Sequence, residues 1–136
     1  MVKEIIKNEN IFVAAIPATK DDYNLAVDLY DTLEFNKKIC VGMALNMIGI
    51  PKAIIAFYDE KDNICIMYNP KIIKCEEAYD TKEGCLSLNG LRMAKRYKKI
   101  KVEYYNEKFE LRIKTFKDFT AQIIQHEIDH LKGIII

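Results

Sequence analysis

The 136-residue sequence lacks the features that mark membrane, secreted and nucleic-acid-binding proteins. No apolar run is long enough to span a bilayer, and the apolar stretch at 11–18 is broken by Pro17, unlike a signal peptide. Lysine and arginine number 21 against 20 acidic residues, so the charge gives no reason to expect a nucleic acid or an anionic membrane as partner. A cytoplasmic protein is expected, with its four cysteines reduced.

Repeats, linkers and low-complexity stretches are also missing, so a single domain over residues 1–136 is expected. Apolar periodicity predicts a helix over 21–35 and a second helix that ends near Gly133. Between them, β-branched and aromatic residues predict short strands. These strands are 53–58, 64–68, 72–75, 100–105 and 109–114. The order predicts an α+β fold in which antiparallel or mixed β-sheets wrap around a central C-terminal helix.

Histidine is scarce, and its only two copies stand four residues apart in the hexapeptide Gln125-His126-Glu127-Ile128-Asp129-His130. Four residues is about one helical turn, so both imidazoles project from one face and can share a metal ion. Glu127 lies beside them as a candidate general base. A helix can also carry so short a pattern by chance, with the histidines solvated or packed in a core. A metal-dependent hydrolase is the first hypothesis.

The residues around the hexapeptide favour this hypothesis. Thr115 is the expected N-cap of the helix, Asp118 suits a capping box with it, and Gly133 suits the helix end. Large apolar residues precede the histidines at spacings of three and four, so the metal would lie in a walled pocket. They are Phe116, Phe119 and Ile123.

A catalytic metal usually has three protein ligands, and two histidines leave it one short. The third ligand could be an aspartate, a glutamate or a cysteine. Only isoleucines follow Gly133, so no carboxylate is available there. Upstream, Cys85 stands in the string Glu83-Gly84-Cys85-Leu86-Ser87, although a free cysteine is more often a small buried hydrophobic residue.

The EGCLS string at 83–87 and the QHEIDH hexapeptide at 125–130 resemble the EGCLS and QHExDH pair of the peptide deformylases. The resemblance implies a divalent metal bound by Cys85, His126 and His130, with Glu127 handling protons. It also implies an enzyme that removes the formyl group from the N-terminal formyl-methionine of new polypeptides and releases formate. Ferrous iron is the implied metal, with zinc, nickel or cobalt as substitutes, and a thiolate with two imidazoles suits such ions.

The resemblance further implies two hydrogen-bond donors for the reaction's oxyanion. One is the backbone N–H of Leu86, and the other is the side chain of a glutamine that closes a GxGLAAxQ motif. The matching stretch, 42–49, reads GMALNMIG, which places Ala44 on the middle glycine and Gly49 on the glutamine. Asn46 carries the same amide chemistry and is the candidate replacement. Without the glutamine, the alternative function is weak or altered amidase activity, or binding of N-termini alone.

The same resemblance implies a set of substrate-binding residues. An extended substrate would pair with the segment around Ala44, and Arg92 would bind its backbone carbonyls, while Arg96 would brace the site through Glu83. The remaining candidates would surround the methionine side chain or flank it. They are Met43, Leu45, Leu86, Phe119 and Ile123.

The implied partners are N-formylmethionyl peptides and nascent chains, with at most a transient contact with the ribosome. The expected protein is a monomer that binds neither membrane nor nucleic acid directly. An unrelated zinc peptidase is the third hypothesis, which the Cys85 block and the missing downstream ligand disfavour.

Overall fold

The strands form one antiparallel sheet in the order β1-β2-β3-β4-β5, in a computed structural model that describes residues 1–136. The strands are β1 Gly42–Ala44, β2 Ile54–Tyr58, β3 Ile64–Gly84, β4 Leu91–Tyr105 and β5 Leu111–Lys117. The helices are α1 Tyr23–Phe35 and α2 Asp118–Leu131, with short 3-10 helices at Glu9–Ile11, Lys20–Asp22 and Leu45–Ile48. The α+β prediction is confirmed. Neither α-helix has the length and apolar character needed to cross a membrane.

The sheet is covered on both faces at β2, where every residue is buried. Successive side chains of a strand point to opposite faces, so β2 contributes to two separate cores. Ile54, Ala56 and Tyr58 pack in the core that contains Leu29 and Leu33 of α1. The alternate residues Ile55 and Phe57 pack in the core that contains Ile124 and Ile128 of α2. The C-terminal helix therefore lies against the sheet as a buried element.

A long hairpin of β3 and β4 presents the turn that carries Cys85. The two strands predicted at 64–68 and 72–75 are parts of the single strand β3, which continues to Gly84 opposite Leu91. Sequence periodicity missed this continuation because the polar stretch after Cys75 owes its extended form to pairing with β4. The turn begins at Cys85, whose carbonyl accepts from the Leu88 N–H at 3.1 Å.

Helix α2 begins directly after β5, which corrects the predicted cap. Thr115 lies within β5 opposite Lys101, and the strand pairing continues to Lys117, so Asp118 is the first helical residue. The predicted end is confirmed, because Gly133 follows the helix with a φ of +79°, which suits glycine. Gln125 fixes the middle of α2 on β4: its amide accepts from the Tyr97 N–H at 2.9 Å and donates to the Tyr97 carbonyl at 2.8 Å.

Candidate metal centre

Cys85, His126 and His130 converge on one point. One ligand atom from each residue lies within 4.8 Å of the other two, and the histidine Nε2 atoms are 3.0 Å apart. The helical spacing of α2 aligns the two rings, while the β3–β4 turn brings Cys85 from a distant part of the sequence. Both histidines are buried and Cys85 is half-buried. The three groups predicted as ligands therefore form one cluster.

The hydrogen bonds of the two rings show that this cluster fits a metal ion. His126 Nδ1 lies 2.8 Å from the Glu83 carboxylate, and His130 Nδ1 lies 3.4 Å from the Ile134 carbonyl. Both partners are acceptors, so each Nδ1 carries the ring hydrogen and each Nε2 presents a lone pair. Two lone pairs 3.0 Å apart beside a thiol repel each other unless a positive charge lies between them. Imidazole nitrogen and thiolate sulfur suit a borderline divalent cation.

The pKa values of the rings indicate the same requirement for positive charge. Burial, assisted by the charge of His126, lowers the pKa of His130 to about 3. Burial also lowers the pKa of His126, but hydrogen bonds with Cys85 and Glu83 outweigh it and raise that pKa to about 10. At neutral pH the pair therefore holds one proton more than two neutral rings would carry. A metal ion must displace this proton, so acid conditions weaken metal binding.

Glu83 holds His126 through a buried network of ion pairs and hydrogen bonds. The Arg96 guanidinium donates to both Glu83 oxygens, at 2.7 and 3.0 Å, and to Asp129 at 2.7 Å. Gln122 donates to Glu83 Oε2 at 2.8 Å. Burial raises the pKa of Glu83, but the bonds from His126, Arg96 and Gln122 outweigh it and lower that pKa to about 2. Glu83 is therefore ionised and fixes the orientation of the His126 ring.

Replacing Glu83 with Gln should destabilise the protein in a pH-dependent way. A carboxyl whose pKa falls from 4.5 to about 2 on folding stabilises the fold above pH 4.5, and this contribution disappears as the pH falls toward 2. We expect the free energy of unfolding at pH 7 to fall by roughly 2–4 kcal/mol, and the difference from wild type to be less than half as large by about pH 3. Urea unfolding of both proteins at the two pH values tests this. Equal differences at both values would contradict it.

Glu127 lies on α2 between the ligands and has a free oxygen. Its side chain is buried, and its Oε1 has no hydrogen-bond partner. Burial raises the pKa of Glu127 to about 7, although the charge of His126 opposes the rise. A carboxyl with a pKa near neutrality can both accept and return a proton. The chain therefore places a carboxyl suited to proton transfer beside the three candidate ligands.

Two of the three candidate ligands, Cys85 and His126, line a cleft of about 490 Å³. Cys85, His126 and Glu127 line the cleft together with Gly42 at the edge strand β1. Leu86 also lines the cleft. It lies in the turn after β3, and its backbone N–H donates to no backbone carbonyl. A larger depression of about 870 Å³ lies against β5 and contains none of the ligands. The chemistry therefore assigns the site to the smaller cleft.

Comparison with known proteins agrees with this geometry. The family model described as polypeptide deformylase matches residues 2–136. A peptide deformylase of Clostridium beijerinckii is 47% identical over 139 residues, which cover 100% of both chains. The chain belongs to the polypeptide deformylase family.

Other members of the family support the assignment. A peptide deformylase of Aquifex aeolicus is 36% identical and covers 96% of this chain and 79% of its own. Among solved structures, the Met-Ala-Ser-bound class I type b peptide deformylase of Acinetobacter baumannii has a TM-score of 0.86 and 29% identity, over 99% of this chain and 97% of that one. The peptide deformylase of Thermotoga maritima also has a TM-score of 0.86, with 28% identity over 99% and 95% of the chains.

The residues predicted to bind the deformylase substrate fall into two groups in the structure. Leu86, Phe119 and Ile123 line the cleft. The other group does not line the cleft. Met43, Ala44 and Leu45 are fully buried in the two cores. Arg92, at the start of β4, donates to the Asn89 carbonyl at 3.3 Å. Sequence reasoning could not separate these groups, because a pocket wall and a core have the same composition. It did predict the Glu83–Arg96 contact.

The structure also corrects the prediction that Asn46 replaces the deformylase glutamine. The Asn46 side-chain nitrogen donates to the His130 carbonyl at 2.7 Å, and Asn46 does not line the cleft. Asn46 therefore holds the end of α2. Gly49 does not correspond to the glutamine either. It ends the 3-10 helix with a φ of +91°, and a Cβ there would meet Ile6 at 2.9 Å.

Met47 is the residue that sequence reasoning missed. It is the member of the 3-10 helix that lines the cleft, together with Cys85 and Glu127. When the GLAAxQ part of the motif is read from Gly42, the sequence is GMALNM, and Met47 falls on the glutamine. That alignment also keeps a glycine at Gly42, where a Cβ would lie 2.6 Å from Ile123 and 3.1 Å from Glu127. Both alignments keep this glycine, but only the second also places Ala44 on an alanine of the motif, and that match was the sequence signal that could have favoured it.

Proposed function

We propose that this chain removes the formyl group from the N-terminal formyl-methionine of nascent polypeptides and releases formate. The observation that carries the proposal is the cluster of Cys85, His126 and His130 with the free Glu127 oxygen beside it. Membership of the polypeptide deformylase family supports the substrate. The alternative of weak or altered activity rested on Gly49, and nothing in the comparisons favours it.

The three ligands would hold one divalent ion, and we propose ferrous iron, with zinc, nickel or cobalt as functional substitutes. The mixed sulfur and nitrogen donors support an ion of this borderline class. When bound, the ion supplies Lewis acidity that polarises a carbonyl and makes water more acidic. Glu83 supports the ion by holding the ring of His126 in place.

The remaining steps are assigned to groups of the chain itself. Glu127 accepts the proton of the attacking water and returns it to the departing amine, as its burial and raised pKa suit. The unpaired Leu86 N–H donates to the oxyanion. The peptide lies in the cleft along the outer edge of β1 at Gly42, as an added strand. Met47 donates no hydrogen bond, so Leu86 is the one donor that we assign to the oxyanion.

We also propose that the protein acts in the cytoplasm as a monomer, with at most a transient contact with the ribosome. Its substrates are chains that have just left the ribosome, which supports this location.

Formate release from formyl-Met-Ala-Ser tests the proposed function. The protein is purified without oxygen, its metal content is measured, and it is then loaded with ferrous iron or nickel. We expect turnover with either ion, iron in the unloaded preparation, and loss of turnover after chelation that returns when metal is added. A folded, metal-loaded protein that releases no formate would contradict the proposal.

A further inference from the structure

Gln122 is a polar residue in the wall of the cleft. It lies on α2 one helical turn before His126, lines the cleft and is half-buried. Its Nε2 donates to Glu83 Oε2 at 2.8 Å, and its Oε1 accepts from the Tyr79 hydroxyl over a long distance of 3.4 Å. Phe119 and Ile123, its neighbours in this wall, are apolar.

The Gln122 side-chain amide does not use all of its hydrogen-bond donors and acceptors. A side-chain amide offers two N–H donors and two lone pairs on its oxygen. Only one short bond is made, so one N–H and most of the acceptor capacity have no partner within the chain, and the residue lines the cleft. A purely hydrocarbon side chain packed over this amide would leave those groups without water or a partner. A ligand with a polar atom at that depth would satisfy them.

We propose that Gln122 is a specificity-determining residue that contacts the sulfur-bearing end of the substrate's first side chain, and that it lets the pocket accept formyl-methionine sulfoxide as well as formyl-methionine. The proposal rests on the proposed deformylase function. A thioether is a weak acceptor, a sulfoxide oxygen is a strong one, and the carbon analogue norleucine offers none. The amide should therefore favour the sulfoxide most and norleucine least, relative to an apolar wall.

A purely positioning role for Gln122 gives a different result. If the amide only holds Glu83 in place, its loss changes the turnover of every substrate by the same factor. If it contacts the substrate, its loss changes the ratios between substrates. The ratios of kcat/KM therefore separate the two roles, even when the variant is less active overall.

The experiment measures kcat/KM for three tripeptides that differ only in the first residue: formyl-methionine, its sulfoxide and formyl-norleucine. Wild type is compared with Gln122→Leu and with Gln122→Met, which keeps the length of the side chain. We expect the preference for the sulfoxide over norleucine to fall roughly 3- to 10-fold in both variants, and the preference for methionine over norleucine to fall less. Unchanged ratios would overturn the proposal.

A second measurement separates this proposal from the proposed function. Dissociation constants of the same three peptides are determined on metal-loaded protein in the Glu127→Gln background, with and without Gln122→Leu. Absence of formate release by wild type would refute the deformylase function alone. A binding preference for the sulfoxide that Gln122→Leu does not reduce would refute the role of Gln122, whatever the turnover.

Discussion

Glu127→Gln should bind the metal as wild type does and lose roughly 10²–10⁴-fold in formate release. The substitution keeps the shape of the side chain and removes its ability to take a proton. Glu127 is buried, its Oε1 has no partner in the chain, and its pKa is raised to about 7. A buried carboxyl without a partner is costly for the fold, so its free oxygen is explained by a role in the reaction.

A matched variant controls for the change from carboxylate to amide. Asp118 lies at the start of α2, does not line the cleft and has a φ of +53°, a conformation that asparagine also adopts. Asp118→Asn should therefore keep wild-type turnover. Metal content and kcat are measured for all three proteins. Turnover of Glu127→Gln within tenfold of wild type, at equal metal content, would assign the proton transfer to another group.

Sequence reasoning identified the three residues that form the candidate metal cluster, because each belongs to a short motif. The spacing of His126 and His130 fixes their alignment in any helix, and Cys85 followed from the resemblance of the string around it to the peptide deformylases. The length of β3 was not predictable, since its polar second half is extended through pairing with β4 across the hairpin turn. The contacts of Gln122 with Glu83 and Tyr79 depend on the same pairing, so no local pattern indicated them.

The residue that corresponds to the oxyanion-binding glutamine was not predictable from the sequence for a different reason. Reading the motif from its first glycine placed the glutamine at Gly49, and the side-chain amide of nearby Asn46 suggested that residue as a substitute. Which side chain of the 3-10 helix Leu45–Ile48 faces the cleft is a property of the packed structure. Asn46 bonds to the end of α2, and Met47 lines the cleft. The stretch 42–49 contains Met47, but the packed structure is needed to show that Met47 is the residue of this helix that lines the cleft.

Met47→Gln should consequently raise kcat by roughly tenfold, and at most by about 10²-fold. The reason is that removing one positioned amide donor for an oxyanion lowers kcat by about 10²–10³-fold in other enzymes. The side chains are similar in length, and Met47 lines the cleft beside Cys85. Met47 is also part of the core packed around α1, so the amide should lower the free energy of unfolding by about 1–2 kcal/mol. The gain is measured as kcat per metal-loaded, folded protein.

Gly49→Gln is the decisive comparison, because it restores a glutamine at the position that the first alignment indicated. Its φ of +91° and the 2.9 Å approach to Ile6 predict a destabilised protein with no gain in kcat. Met47→Leu removes the thioether without adding a donor, and it should leave kcat within a few-fold of wild type. A gain in kcat for Met47→Gln alone would show that the cleft lacks a second donor for the oxyanion. It would also show that a side chain at position 47 can still supply that donor. A gain for Gly49→Gln would instead place the donor at the end of the 3-10 helix and remove Met47 from the mechanism.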